Sequence, residues 1–308
     1  MTTTTILSAT SLRVRYGRRL ALEDVNFDVG EGAVGLLGPN GAGKSTLIRA
    51  LLGFLRPETG EVRVLGNRVA DDPLAVRQHL GFVPEVDCHI PGMTAVAYVA
   101  YCGMLCGMPR TDATQRAHEM LYFVGLGEER YRNLEEYSTG MKQRIKIAQA
   151  LVHDPKVLLL DEPTNGMDPR GRRELLDLIR DLAANKGMHI LLSSHLLPDV
   201  EFACSSVLML HKGKVVGQGS IRDLAARHGD HYRVKMKGDM ESFRGKLEQL
   251  GGRIEEQTRE GMQISLTDGI GSAAILQAAR DSGTQIRGLE PCRDSLEEIF
   301  ARAVDEGE

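Results

Sequence analysis

At 308 residues with 42% hydrophobic content, the chain is long enough for one large domain or two modest ones with real cores. A net charge of −4 argues against a protein held to nucleic acid by a basic surface. Cys88, Cys102, Cys106, Cys204 and Cys292 form an odd set with no C-x-x-C and no secretory signal, which points to free thiols in a reducing compartment. Cys102 and Cys106, one helical turn apart, could share a metal, though small buried hydrophobes account for them more simply.

The opening "MTTTTILSAT" lacks the regions of a signal peptide and reads as a short frayed tail. Residues 6–37 read as strands, ending in the unbroken apolar run "AVGLLG" that suits a strand buried on both faces. "KSTLIRALLGFL" is a helix stopped by "RPETGE", and "VRVLG" is another short strand. Residues 73–135 read as largely helical, with breaks at Pro84, Pro91 and Pro109. They include the uncharged "TAVAYVAYCGMLCGM" at 94–108, shorter than the roughly 18 apolar residues of a membrane span. No segment is expected to cross a bilayer.

"YSTGMKQRIKIAQAL", 137–151, reads as a helix capped by Ser138, with Gly140 leaving its first turn bare and Ile145, Ile147, Ala148 and Leu151 on an apolar side. Such a helix tip attracts an anion. "DPKVLLLDEP" is a buried strand, "PRGRRELLDLIRDLAAN" an amphipathic helix and "HILLSSH" another buried strand. "SVLMLHKGKVVGQG" is a hairpin turning at Lys212-Gly213. Buried strands alternating with helices define an α/β domain. After Gly219 the order becomes strand, helix, strand, strand, helix, strand, that of a ferredoxin-like α+β unit, followed by "DSLEEIFARAV". The expected domains are 1–219 and 220–308, the second serving packing, dimer contacts or regulation.

"GPNGAGKST" matches G-x-x-x-x-G-K-[ST] between a buried strand and a helix. Its glycines let backbone N–H groups point at phosphate oxygens, Lys44 can bridge β- and γ-phosphates, and the Ser45 hydroxyl can ligate Mg²⁺. "KVLLLDEP" ends in Asp161, suited to Mg²⁺, and Glu162, suited to polarise an attacking water. On an extended chain these adjacent acids face different ways. His195 ends "HILLSSH"; alone it reads as an ordinary structural histidine, but strand carboxyl ends gather where ligands bind.

This set closely resembles the nucleotide-binding subunit of an ABC transporter over residues 6–219. The matching order is Tyr16 before the second strand, "GPNGAGKST", a Q-loop "LGFVPE", a signature "YSTGM", "VLLLDEP", a D-loop "NGMDP" and the switch "SSH". The resemblance implies a P-loop NTPase fold of ABC type, with a β-subdomain, a RecA-like core and a helical subdomain. It implies ATP and Mg²⁺ as cofactors and an ATPase activity in which Glu162 and His195 are catalytic. Nucleotide contacts are expected from Tyr16 stacking on adenine and from Gly38, Pro39, Asn40, Gly41, Ala42, Gly43, Lys44, Ser45 and Thr46. Ser45, Asp161 and Glu85 would hold the metal. The resemblance also places Ser138, Gly140 and Asp168 against ATP bound by a second copy. From geometry alone a site within one chain stays open, because a helix of about 22 Å can be followed by a strand that doubles back.

The chain departs from the usual pattern in three places. Tyr137, Thr139 and Met141 replace three signature residues, while Ser138 and Gly140 keep the hydroxyl and the open backbone. Glu85 stands where a glutamine is usual, and Gly166 and Met167 occupy the D-loop. These features resemble the bacterial branch that exports drugs, polysaccharides, lipids or cofactor-assembly components through separate permeases. The resemblance thus implies a homodimer, peripheral on the cytoplasmic face of the membrane, with the segment around Glu85 and the helix 94–108 transmitting motion and with no nucleic-acid partner. A non-transport ATPase of the same superfamily acting on ribosomes or DNA is the alternative. It fits less well with one motif set, no heptad run and no basic patch.

Overall fold

A computed structural model describes residues 4–226, 231–258, 261–267, 270–291 and 295–307; Cys292 and the first three residues of the opening tail lie outside these. The chain divides into two compact units, Met1–Ile221 with Ala303–Glu308, and Arg222–Arg302.

In the first unit, β1 (Leu7–Tyr16) and β2 (Arg19–Val29) pair antiparallel, each turning its apolar side chains to one face. β3 (Ala33–Leu37) is buried at every residue, as its apolar run demands. α1 (Lys44–Leu51) follows, and β4 (Thr59–Val64) and β5 (Asn67–Arg68) complete a four-stranded sheet in the order β2-β1-β4-β5. α2 (Pro73–Arg77) begins at Asp72, whose carboxylate accepts from the Ala75 N–H at 3.0 Å.

The stretch 73–135 is less helical than expected. β6 (Leu80–Val83) lies within it, and residues 84–94 contain no helix. Four residues are too few to show a period, and apolar "LGFV" reads equally as a helix turn; pairing with a neighbouring strand decides. α3 (Ala95–Leu105), capped by Thr94, α4 (Arg110–Phe123) and α5 (Thr139–Leu151) form the helical part. Then come β7 (Val157–Asp161), α6 (Pro169–Asn185), β8 (His189–Ser193), α7 (Leu197–Ala203), β9 (Ser206–His211), β10 (Lys214–Ser220) and α8 (Ile221–Ala226).

The central sheet has the order β10-β9-β3-β8-β7-β6. Its strands run parallel except β10, which returns from β9 through Lys212 and Gly213. Their φ values of 47° and 81° give the turn whose twist matches a hairpin. Leu158, Leu159 and Leu160 of β7 are fully buried, each contributing about 1.5–3 kcal/mol. Five parallel strands thus bring their carboxyl ends to one edge, where an open α/β sheet builds its site.

In the second unit β11 (His231–Lys237), α9 (Met240–Gln249), β12 (Gly252–Thr258), β13 (Gly261–Leu266), α10 (Ala273–Asp281) and β14 (Gln285–Pro291) succeed one another, with α11 (Leu296–Gly307) last. The sheet is antiparallel in the order β12-β13-β11-β14, the arrangement of a ferredoxin-like fold. Val234, Phe243, Leu247, Ile264 and Ile275 form its core.

Candidate active site

The backbone leaving β3 must turn sharply to start α1, and three glycines take that strain with φ of 154° at Gly38, 82° at Gly41 and 111° at Gly43. A Cβ at Gly38 would lie 2.3 Å from the Leu210 carbonyl oxygen, and one at Gly43 2.7 Å from Leu22 Cδ2. The loop is therefore wrapped tightly enough to exclude side chains at both positions. Lys44, buried at the first turn of α1, donates through Nζ to the Gly38 carbonyl at 2.7 Å and lies 3.7 Å from Glu162 Oε1.

Beside this loop lies a cavity of about 740 Å³. Of the sequence-derived residues, Tyr16, Pro39, Asn40, Gly41, Gly43, Lys44, Ser45, Thr46, Glu85, Asp161, Glu162 and His195 line it. Gly38 and Ala42 are buried beneath the loop instead. Arg19, Asn165 and Lys212 also line the cavity and went unread in the sequence, because nothing about an arginine opening a strand or a lysine in a hairpin turn marks it as facing a site.

Glu162 departs from the extended chain expected after Asp161. Its φ of 49° puts it in the left-handed region, uncommon for a residue with a side chain and typical of a site that holds strain. Its N–H donates to the Ser193 carbonyl at 3.0 Å, and its own carbonyl accepts from the Asn165 N–H at 3.2 Å. The buried carboxylate is thereby aimed between two elements. His195 Nδ1 donates to Oε2 at 2.8 Å and the His195 backbone N–H approaches the same oxygen at 3.3 Å, while Lys44 faces the other oxygen.

The loop after Glu162 is anchored by a buried carboxylate that carried no sequence signal. Asp199 of α7, 2% exposed, accepts from the Thr164 hydroxyl at 2.6 Å and from Arg172 of α6. On the other side of the cavity, Asn165 Nδ2 approaches Glu85 Oε1 at 3.4 Å.

Mg²⁺ is a hard cation that takes oxygen ligands and keeps waters and phosphate oxygens in its shell. Ser45, Asp161 and Glu85 offer such oxygens in one cavity, and Asp161 Oδ1 is buried without a hydrogen-bond partner, so the residues fit that ion. Among the described residues no three His, Cys, Asp or Glu side chains converge on a metal position; Cys102 is half-buried and Cys106 exposed, so Cys106 is not the buried hydrophobe expected, because it lies past the end of α3 on the surface. Burial pushes the Cys102 thiol up to about 11.

Ser138, Gly140 and Asp168 do not line this cavity. Ser138 caps α5, its hydroxyl accepting from the Met141 N–H at 3.4 Å, and Asp168 caps α6 by accepting from the Gly171 N–H at 3.3 Å. The two caps are neighbours: a Cβ at Gly140 would meet the Met167 methyl at 3.4 Å, and one at Gly166 the Thr139 methyl at 3.5 Å. They form one largely exposed patch, separate from the glycine loop.

Fold and cavity together define a P-loop nucleotide-binding protein with an acid-tipped strand beside the loop. The family profile described as ABC transporter matches residues 22–165. YxlF of Bacillus subtilis (strain 168), an uncharacterized ABC transporter ATP-binding protein, is 33% identical over 97% of this chain and 99% of its own length. The bacitracin transport ATP-binding protein BcrA of Bacillus licheniformis is 30% identical over 98% of both chains. A bacterial ABC transporter cassette solved as a dimer aligns with a TM-score of 0.64 at 25% identity, over 70% of this chain and 98% of that one. The chain belongs to the ABC transporter ATP-binding protein family and is an ATPase of that family.

Proposed function

We propose that two copies of this chain clasp two ATP molecules and drive a separate membrane permease, in the direction of export. The observation that carries the reading is the division of parts: the glycine loop, Lys44 and Glu162 share one cavity, while the Ser138–Gly140 tip lies on another surface. A head-to-tail pair brings the tip of one copy onto the phosphates held by the other, with Asp168 at the seam. The dimeric cassette among the aligned structures supports this pairing.

In each site Tyr16, 41% exposed at the end of β1, offers a ring face to adenine. N–H groups of residues 41–46 receive the β-phosphate, and Lys44 leaves the Gly38 carbonyl to bridge β- and γ-oxygens. Ser45, Asp161 and Glu85 would hold Mg²⁺, which when bound would supply positive charge against the charge developing on the phosphates. Glu162, fixed by its backbone conformation, accepts a proton from the water that attacks the γ-phosphorus as the bond to the β-phosphate oxygen breaks. His195 holds Glu162 Oε2 and, with 41% of its side chain exposed, reaches the phosphate end of the site.

The permease would dock on the exposed apolar side chains of Val86, which follows Glu85, and of Tyr101 and Leu105 on α3. α3 also buries Tyr98 and Val99, so one helix serves both core and surface. Among the described residues no helix is long and apolar enough to cross a membrane, in keeping with a separate spanning subunit. Transport follows the bacitracin transport relative, and the direction of export follows the exporter branch that the sequence resembles; action on ribosomes or DNA is not favoured. In the test, Glu162→Gln should retain ATP binding, lose turnover and accumulate an ATP-bound dimer. Unchanged hydrolysis would remove Glu162 from the mechanism.

A further inference from the structure

One face of α5, continued by His153 in the turn after it, is directed at the backbone of β6 and the loop beyond it. His153 Nε2 lies 3.0 Å from the Leu80 carbonyl, Gln149 Nε2 donates to Phe82 O at 2.8 Å, and Lys146 Nζ donates to Pro84 O at 2.9 Å and Glu85 O at 3.1 Å. β6 is the last strand of its sheet, so alternate carbonyls point outward with no strand to receive them. The helix supplies the missing donors.

Lys146 is the costly member of this set. It is 0% exposed, and a buried ammonium is tolerated only where its donors are satisfied. Two of its donors go to consecutive carbonyls and Asp87 Oδ1 lies 3.7 Å away. The two carbonyls belong to the peptide planes on either side of the Glu85 Cα, so holding both fixes the Glu85 dihedrals and the direction of its side chain. An apolar residue would fill the space without doing this.

We infer that Lys146 is a positioning residue, which fixes the backbone of Glu85 and couples that cavity carboxylate to the helix whose first turn carries Ser138 and Gly140. A shift of α5 then carries Glu85 with it. The inference rests on the proposed reading of Glu85 as a metal ligand.

The test compares Lys146→Met, Glu85→Ala and the double variant in the full chain. Hydrogen–deuterium exchange without nucleotide or metal reads the loop directly: Lys146→Met should speed exchange at residues 85–88 about tenfold while 190–193 in β8 stay unchanged. The Mg²⁺ concentration for half-maximal binding of a fluorescent ATP analogue should rise about fivefold, and kcat should fall about tenfold with KM for ATP within about twofold. The double variant should be no worse than the more affected single one. If Glu85→Ala leaves the Mg²⁺ dependence unchanged, the reading of Glu85 fails and takes the inference with it. If Glu85→Ala shifts that dependence while Lys146→Met does not, or if the two effects multiply, the inference alone is overturned. Should Lys146→Met fail to fold, Asp87→Asn, on a half-exposed side chain, should shift the same dependence about twofold, and no shift would overturn the proposal.

Discussion

Replacing Asp199 by Ala should destabilise the first unit by about 2–5 kcal/mol. The carboxylate is 2% exposed and holds two partners with different exposures. Thr164, 3% exposed, loses its acceptor and is left with an unsatisfied hydroxyl, a cost of about 1–3 kcal/mol. Arg172 loses a buried counter-charge, which costs about 3–5 kcal/mol where the survivor stays fully buried. Its side chain is 30% exposed, however, so water recovers part of that and about 1–2 kcal/mol remains. For a unit of this size, at about 2–4 °C per kcal/mol, the sum lowers the melting temperature by about 4–20 °C, read by scanning calorimetry. Asp199→Asn retains an acceptor for Thr164 and should recover about half the loss. A fall under about 2 °C for Asp199→Ala would show that solvent or a rearranged Arg172 replaces the carboxylate, and would refute the reasoning.

Thiol chemistry should separate the cysteines by burial. Iodoacetamide at pH 8 should label the exposed Cys88 and Cys106 before Cys204, whose thiol burial pushes up to about 12 and which stays unmodified until denaturant is added; peptide mass spectrometry reads all three, and prompt native labelling of Cys204 would contradict its burial. Two glycine substitutions should separate clash from torsion. Gly38→Ala drives a methyl into the backbone of β9 and should cost more than about 3 kcal/mol and abolish nucleotide binding. Gly41→Ala meets nothing nearer than Arg19 Nη2 at 3.8 Å and should cost only the left-handed strain of about 1–2 kcal/mol. Equal losses in chemical denaturation would refute that distinction. In the second unit, Phe243→Ala, from a fully buried position, should cost about 3–5 kcal/mol of that unit's stability, checked by urea unfolding.

What the sequence makes legible is what local rules control. The helix 169–185, the cap at Ser138 and the turn at Lys212-Gly213 each depend on residues within a few positions, and each appears in the structure where the pattern puts it. The glycine loop is legible for the same reason, since three glycines and a lysine act on adjacent backbone. β6 is hidden because four apolar residues acquire strand geometry only by pairing with β7, more than seventy positions along. The left-handed Glu162 is hidden because Ser193 imposes it from another strand. Asp199 and Lys146 look like surface charges on helices; their burial follows from Thr164, Arg172 and the carbonyls of Pro84 and Glu85 arriving from elsewhere.

The central claim is that each ATP is held by the loop of one copy and the helix tip of another, and mixed dimers test it most directly. Lys44→Met disables the loop, and Gly140→Asp puts a carboxylate on the tip, where the nearest side-chain atom to a new Cβ is 3.4 Å away and folding is retained. Each variant alone should be inactive. Mixing equal amounts, with exchange of subunits, leaves one intact composite site in each mixed dimer and should restore about a quarter of wild-type ATPase activity. A site contained within one chain predicts that the mixture stays as inactive as its components, and that result would contradict the account.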